Sequence, residues 1–415
     1  MVKEGKQIRV AVMGCGTVGS GAMRMISENA DALTKATGER IELAYALDMR
    51  EIAPLYGAKW TNRFDDLIED GALDIAIETI GGATHAHQFT RRLLEAGISV
   101  VTSNKELVVR HGAELIELAR QHGAHYLYEA AVGGGVPILR PLRTDLAGNR
   151  ILKICGIVNG STNYILTRMS QSGISFSAAL AEAKSLNYAE ADAAADVDGW
   201  DACRKLAILA HSAFGAQFSD WESVPIEGIR QITERDIACA RAIGGEIKLI
   251  AQCEAQLNGW TGFVHPTLVL ADHPLRHVRD VFNGIVVTGD AVGDVMFYGR
   301  GAGSMPTASA VMGDVIELAR GMKPDWGVHA VAPFAKADAG EVQWMVRIEP
   351  SGEGTAWTAV SKYLPQASVQ KVDDMLAVTT PKLARVALEA ALAHIHEAGH
   401  RTGIALRVLT ASADV

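Results

Sequence analysis

The sequence predicts an α/β protein: a doubly wound parallel sheet at the N-terminus, an α+β middle region and a small α+β unit at the C-terminus. Three observations carry that reading. A buried-type strand runs directly into a G-x-G-x-x-G turn and a helical pattern. Strands and helices then alternate as far as Tyr128. After Lys323-Pro324-Asp325 the pattern shifts to short alternating strands separated by two helices.

The first strand, Ile8 to Met13, is almost wholly apolar, and Gly14-Cys15-Gly16-Thr17-Val18-Gly19 follows at once, opening a helix through Ala22, Met25 and Ile26. In such a turn Gly14 allows the tight bend, Gly16 lets the backbone approach a pyrophosphate, and Gly19 lets helix pack closely on strand. The helix N-terminus favours the ligand's negative charge. The order of strand, turn and helix makes this a Rossmann-type dinucleotide site. Further strands are expected at Ile41 to Leu47, Asp74 to Ile80, Ile98 to Thr102 and Tyr126 to Tyr128, with helices at His85 to Ala96 and Glu106 to Gln121. Asp48 ends the second strand, where a carboxylate accepts hydrogen bonds from an adenosine ribose and repels a 2′-phosphate, which favours NAD. Arg50, two residues on, is able to pair with a phosphate, and a plain surface turn accounts for either side chain equally well. The loops Glu78-Thr79-Ile80-Gly81-Gly82 and Thr102-Ser103-Asn104-Lys105 also fall at carboxyl ends of strands, where ligands bind in such sheets.

In the middle region, Tyr128 to Ile138 combines a strand end with Gly133, Gly134, Gly135 and Pro137. A loop of that kind turns carbonyls outward as ligands for a hard cation, although a simple domain-crossing turn needs the same flexibility. The strand ending at Val158-Asn159-Gly160-Ser161 supplies caps for a helix beginning near Thr162. The most unusual segment is Asn187 to Lys205, where Glu190, Asp192, Asp196, Asp198 and Asp201 precede the apolar run Leu206-Ala207-Ile208-Leu209-Ala210. A calcium loop fails, because aligning Asp196, Asp198 and Gly199 with positions 3, 5 and 6 of an EF-hand loop puts Ala194 and Lys205 at positions 1 and 12, where carboxylates are needed. Asp201 and Lys205 are four apart and share a helix face. A lysine and several carboxylates in one pocket suit a zwitterionic substrate and a proton transfer.

Composition narrows the classes. A chain of 415 residues with 48% hydrophobic and 21% charged residues has ample core for two or three domains. Its net charge of -9 and lack of basic clusters argue against nucleic acid. The N-terminus lacks a signal-peptide pattern and no long apolar span follows, so a cytoplasmic protein without membrane association is expected. The five cysteines are widely spaced, as for reduced core thiols.

These motifs resemble homoserine dehydrogenases over roughly residues 8 to 325, through G-C-G-T-V-G, T-S-N-K, Y-E-A-A-V-G-G-G-V-P-I, G-I-V-N-G-S-T-N-Y-I-L, Y-A-E-A-D, A-D-V-D-G-W-D-A-C-R-K and F-Y-G-R-G-A-G-S-M-P-T-A-S-A-V. The resemblance implies interconversion of L-homoserine and L-aspartate 4-semialdehyde with NAD or NADP, running physiologically as a reduction in threonine and methionine biosynthesis. Position by position, it implies Lys205 as the proton donor and Lys105 as a second active-site lysine beside the nicotinamide. Glu190 and Asp201 resemble substrate-binding carboxylates, and Asp196 falls at a further acidic position. Thr17, Val18, Ser103, Lys105 and Gly303 match cofactor contacts, while Glu129, Val132, Gly134 and Val136 match a monovalent-cation site, such as one for sodium, built largely from carbonyls. A homodimer or homotetramer is implied. Departures are Ser103 for alanine, Ser161 for threonine, Ala193 for proline and Asn187 for a glycine where cofactor fit is at stake. Leu47 stands where NADP-preferring relatives carry arginine, which adds to the lean towards NAD.

The domains expected are 1–140 for the cofactor, completed by a helix near 305–325; 141–304 for catalysis and dimerisation; and 335–415, resembling a degenerate ACT regulatory domain. In the last, Val342 to Ile348 reads as a strand, Thr355 to Tyr363 as a helix, Val369 to Val378 as a hairpin or long strand, Thr380-Pro381 as the start of a helix to about Glu397, and Ile404 to Leu409 as a strand. The turn Glu349-Pro350-Ser351-Gly352-Glu353-Gly354 lacks the usual ACT-type motif, which favours a packing or dimerisation role over threonine feedback. His396-Glu397-Ala398-Gly399-His400 matches H-E-x-x-H, but Gly399 ends the helix and, beyond His400, only Asp414 offers a third ligand, so a zinc site is rejected. The alternative function is a non-catalytic homologue that senses a nucleotide or amino acid.

Overall fold

The computed structural model describes residues 7–322, 332–335, 340–352 and 354–411. The boundary at Lys323-Pro324-Asp325, the tail of the helix expected near 305–325, and the residues Glu353 and Asp414 lie outside that range. The chain divides into two compact units, one of 1–150, 204–222 and 297–333, the other of 151–203, 223–296 and 334–415.

The first unit is built on strands β1 (Gln7–Met13), β2 (Arg40–Leu47), β3 (Lys59–Thr61), β4 (Ile75–Glu78), β5 (Ser99–Thr102) and β6 (Tyr126–Leu127), with α1 (Thr17–Glu28), α2 (Ala30–Thr37), α3 (Asp65–Glu69), α4 (Thr84–Glu95) and α5 (Lys105–Gln121) between them. The strand order β3-β2-β1-β4-β5-β6 is all parallel and is the doubly wound dinucleotide topology, with its switch point between β1 and β4. Continuous apolar runs such as Val10 to Met13 are fully buried because helices cover both faces of a parallel sheet. The three-residue β3 and the helices α2 and α3 escape sequence reading, being too short to show a period. Later in the chain come α6 (Leu139–Arg143), and, in the second unit, β7 (Ile151–Ile157), α7 (Gly160–Ser172), α8 (Phe176–Ser185) and α9 (Ala194–Val197). Helix α10 (Trp200–Phe214) follows, then α11 (Glu234–Ala242), β8 (Glu246–Gln256), β9 (Gly259–Val269), β10 (Phe282–Gly289), β11 (Gly293–Arg300) and α12 (Ser304–Ala319).

The C-terminal elements are β12 (Trp344–Glu349), α13 (Thr355–Tyr363), β13 (Ser368–Val372), β14 (Met375–Thr379), α14 (Arg385–Glu397) and β15 (Arg401–Leu409). Their β-α-β-β-α-β order and the strand order β15-β12-β14-β13 form a split βαβ unit, the ACT-like region expected. It does not stand alone. β15 pairs parallel to β9, so its strands continue a nine-stranded sheet of order β11-β10-β7-β8-β9-β15-β12-β14-β13. The segment Val369 to Val378 resolves as the hairpin β13–β14. Helix α14 starts at Arg385 rather than at Pro381, because the Thr380 hydroxyl donates to the Pro381 carbonyl and accepts from the Trp344 amide instead of capping a helix. Gly399 (φ 92°) ends that helix as expected, and His400 is buried with its Nδ1 3.2 Å from the Ser351 amide. Among the described residues no helix is long and apolar enough to cross a membrane.

Candidate active site

The glycine turn has the geometry its sequence demands. Gly14 is left-handed (φ 82°), and a Cβ on Gly19 would stand 2.2 Å from the Gly14 carbonyl oxygen, so neither position admits a side chain without displacement. A Cβ on Gly16 would meet nothing within 4 Å. The space over Gly16, at the N-terminus of α1, fits a pyrophosphate. Thr79, just past β4, locks the turn by donating its hydroxyl to the Gly14 carbonyl at 2.6 Å. Asp48 accepts from the Cys15 amide at 2.9 Å and from the Arg50 amide at 3.1 Å, which fixes its carboxylate at the end of β2. A second helix start lies beside the first: Gly303 (φ 119°) precedes α12, and the Ser304 hydroxyl donates to the Thr17 carbonyl at 2.6 Å.

Lys105 is the first residue of α5, partly buried. Asn104 caps the helix by accepting from the Leu107 amide, and its amide group donates to the carbonyls of Ile80 (3.0 Å) and Gly82 (2.7 Å). The two loops at the ends of β4 and β5 are therefore one hydrogen-bonded structure. Behind Ser103, Glu78 is completely buried and accepts from the Thr102 hydroxyl (2.5 Å) and the Ile80 amide (2.6 Å). Burial pushes its carboxyl up to about 7, against those hydrogen bonds.

The glycine loop of the first unit is organised by a buried charge network. Glu129 spends its carboxylate on the amides of Ile138, Leu139 and Arg140, at 2.6, 3.0 and 2.6 Å. Asp314 accepts from the Glu129 amide, and Arg140 donates to Asp314 (2.5 Å) and Glu317 (2.8 Å). Burial drives the carboxyls of Glu129 and Asp314 above the usual range, with Arg140 opposing it. Gly133 and Gly134 are left-handed (φ 73° and 55°), and a Cβ on Gly134 would lie 2.4 Å from the Gly301 carbonyl oxygen. With the Glu129 carboxylate engaged by three amides, the donors that the expected cation site would offer at Val132, Gly134 and Val136 are backbone carbonyls. That donor set fits an alkali cation.

In the second unit the acidic segment resolves into separate tasks. Asn159 is the N-cap of α7, accepting from the Thr162 amide at 2.9 Å, so the helix starts at Gly160 rather than near Thr162. Its amide donates one hydrogen to Asp196 (2.7 Å) and the other to Asp201 (2.9 Å). One side chain thus gathers two carboxylates. Asp198 pairs with Arg230, Asp192 caps the Ala194 amide, and Glu190 is exposed. The five acids do not all face one place. Asp201, in this unit, is buried, and so is Lys205, one turn further along α10 and the second residue of the 204–222 stretch that belongs to the first unit. Asn187 (φ 56°) is the left-handed residue that ends α8: its amide donates to the Lys184 carbonyl and the Tyr188 amide to that of Ala183, the two bonds of a Schellman motif. Asn159 was visible in the sequence only as a cap, and its bridging amide depends on a contact 42 residues away.

Comparison with known proteins settles the family. Residues 137–316 match the family described as homoserine dehydrogenase, and residues 14–129 match the homoserine dehydrogenase NAD-binding domain. A homoserine dehydrogenase of Synechocystis is 43% identical over 317 residues, 75% of this chain and 73% of that protein. One from Corynebacterium glutamicum is 42% identical over 351 residues, covering 81% and 78%. The chain belongs to the homoserine dehydrogenase family. A homoserine dehydrogenase crystal structure from Thiobacillus denitrificans superposes with a TM-score of 0.89 at 32% identity, covering 98% of this chain and 99% of that one. The likeness to a homoserine dehydrogenase therefore extends through the C-terminal unit. Membership gives the reaction class, NAD(P)-dependent homoserine dehydrogenase activity, and the non-catalytic alternative gives way to it.

Proposed function

We propose that Lys205 carries the proton in this reaction, with Lys105 beside the nicotinamide and with Glu190, Asp196 and Asp201 holding the substrate ammonium. The observation that carries this reading is the pair of buried carboxylate and ammonium one turn apart on α10, with Asp201 oriented by the Asn159 amide. Bound nicotinamide supplies the hydride in reduction and accepts it in oxidation. As the aldehyde carbon is reduced, negative charge grows on its oxygen, and the Lys205 ammonium stabilises and then protonates it, a contribution of about 10²- to 10⁴-fold for general acid catalysis. In oxidation the same nitrogen, neutral, takes the hydroxyl proton. Asn159 turns both of its amide hydrogens to Asp196 and Asp201, which offsets their mutual repulsion and holds the two carboxylates together.

Gly14, Gly16, Thr17, Val18 and Gly19 cradle the pyrophosphate, with Ser103, Lys105, Asn187 and Gly303 as further cofactor contacts. The fixed Asp48 carboxylate and the leucine at 47 support a preference for NAD over NADP. Glu129, Val132, Gly134 and Val136 hold a monovalent cation such as sodium through carbonyls, and that cation stiffens the loop. The chain works in the cytoplasm as a homodimer or homotetramer. Residues 1–140 with the helix at 304–319 serve the cofactor, 141–304 serve catalysis and dimerisation, and the C-terminal unit serves packing.

Lys205→Ala tests the central assignment. Turnover should fall by at least about 10²-fold while NAD(H) binding, followed by cofactor fluorescence, stays within about twofold. A variant with nearly unchanged kcat would refute the role.

A further inference from the structure

A cluster of metal-ligating side chains lies apart from the cofactor turn and from the glycine loop. His87 sits near the start of α4, while His111 and Glu114 are one turn apart on α5. His87 Nε2 is 3.0 Å from Glu114 Oε2, and His111 Nδ1 is 3.8 Å from the same oxygen. One donor atom from each residue falls within 4.8 Å of the other two. In a tetrahedral site with bonds of about 2.0–2.2 Å, ligand atoms stand about 3.3–3.6 Å apart. The two measured separations bracket that value.

A hydrogen bond from His87 to Glu114 accounts for the shorter contact. It does not account for His111, whose nitrogen is beyond hydrogen-bond reach of that oxygen yet converges on it. The two rings are stacked, with centroids 3.9 Å apart and planes inclined by 18°. Joint ligation requires each ring to turn about its Cβ–Cγ bond, and both side chains are partly exposed, so little packing opposes that turn.

We propose that His87, His111 and Glu114 form a binding site for a zinc-class divalent transition metal that clips α4 to α5. Two imidazoles and one carboxylate select zinc, nickel or cobalt over magnesium, calcium and alkali ions, which prefer all-oxygen shells. Three protein ligands leave a fourth position to water. Helix α4 follows the Gly81-Gly82 loop and α5 begins at Lys105, so the metal braces the helices that follow both strand-end loops.

The test is titration of the chelator-stripped full chain with zinc by calorimetry, and with cobalt by visible absorption. About one equivalent per chain is expected, with a dissociation constant on the order of micromolar and no competition from magnesium. His87→Ala and His111→Ala should each weaken binding at least about tenfold, and the double variant should lose the cobalt bands of four-coordinate metal. His394→Ala, on a helix where His394 meets Glu397 at 3.1 Å, should change nothing. Zinc should raise the Tm of the wild type and not of the double variant. The proposal is overturned by binding no tighter than about millimolar, an adventitious ion only, or by stoichiometric binding that survives in a double variant whose far-ultraviolet circular dichroism is unchanged.

Discussion

Asn187 holds a left-handed backbone at the end of α8, a conformation that costs most side chains about 1–2 kcal/mol and that glycine and asparagine tolerate best. Asn187→Gly should therefore leave stability unchanged or raise it by roughly 0.5 kcal/mol, whereas Asn187→Val should lower it by about 1–2 kcal/mol, read from urea midpoints. A valine variant as stable as the wild type would contradict the assignment. Glu78 gives a second test at this scale. Its folded carboxyl titrates at about 7, above the ordinary carboxylate value, so the folded state holds the proton more tightly than the unfolded chain. The resulting stability is fully present below the unfolded value and is lost as pH rises through about 7. Glu78→Gln, which does not titrate, should flatten that loss when urea stabilities at about pH 5 and about pH 8 are compared. An equal loss in both proteins would show that Glu78 is ionised throughout.

At the scale of elements, Asn159 joins the start of α7 to two acids that lie 37 and 42 residues further on. Asn159→Asp keeps an oxygen for the Thr162 amide but sets a third negative charge against Asp196 and Asp201. The expected result is retained helicity with a KM for homoserine raised at least about tenfold. A KM within twofold of wild type would remove Asn159 from the site. This contact shows where reading the sequence stops. The strand, glycine turn and helix at residues 8–26 were legible because each obeys a local period or a local steric need. Thr355 to Tyr363 was legible as a helix for the same reason, and it matches α13 to the residue. The start of α14 was not, since the Thr380 hydroxyl is claimed by the distant Trp344 amide. The five acids between 190 and 201 were conspicuous, yet which two would meet depended on an amide from another element.

At the scale of the molecule, a parallel sheet of classic dinucleotide order carries the cofactor turn, and a nine-stranded sheet runs from the middle region into the C-terminal unit. The sequence marked the C-terminal segment as a small α+β module, with Val369 to Val378 readable as a hairpin or one long strand. It could not show that β15 pairs with β9, because nothing in a strand's own sequence names its neighbour. The central claim is that these parts make a homoserine dehydrogenase with a lean towards NAD. The most direct measurement is homoserine-dependent formation of NADH and NADPH at alkaline pH, with kcat/KM determined for both cofactors. The account predicts turnover, with the larger kcat/KM for NAD; binding of nucleotide without turnover by either cofactor would contradict it.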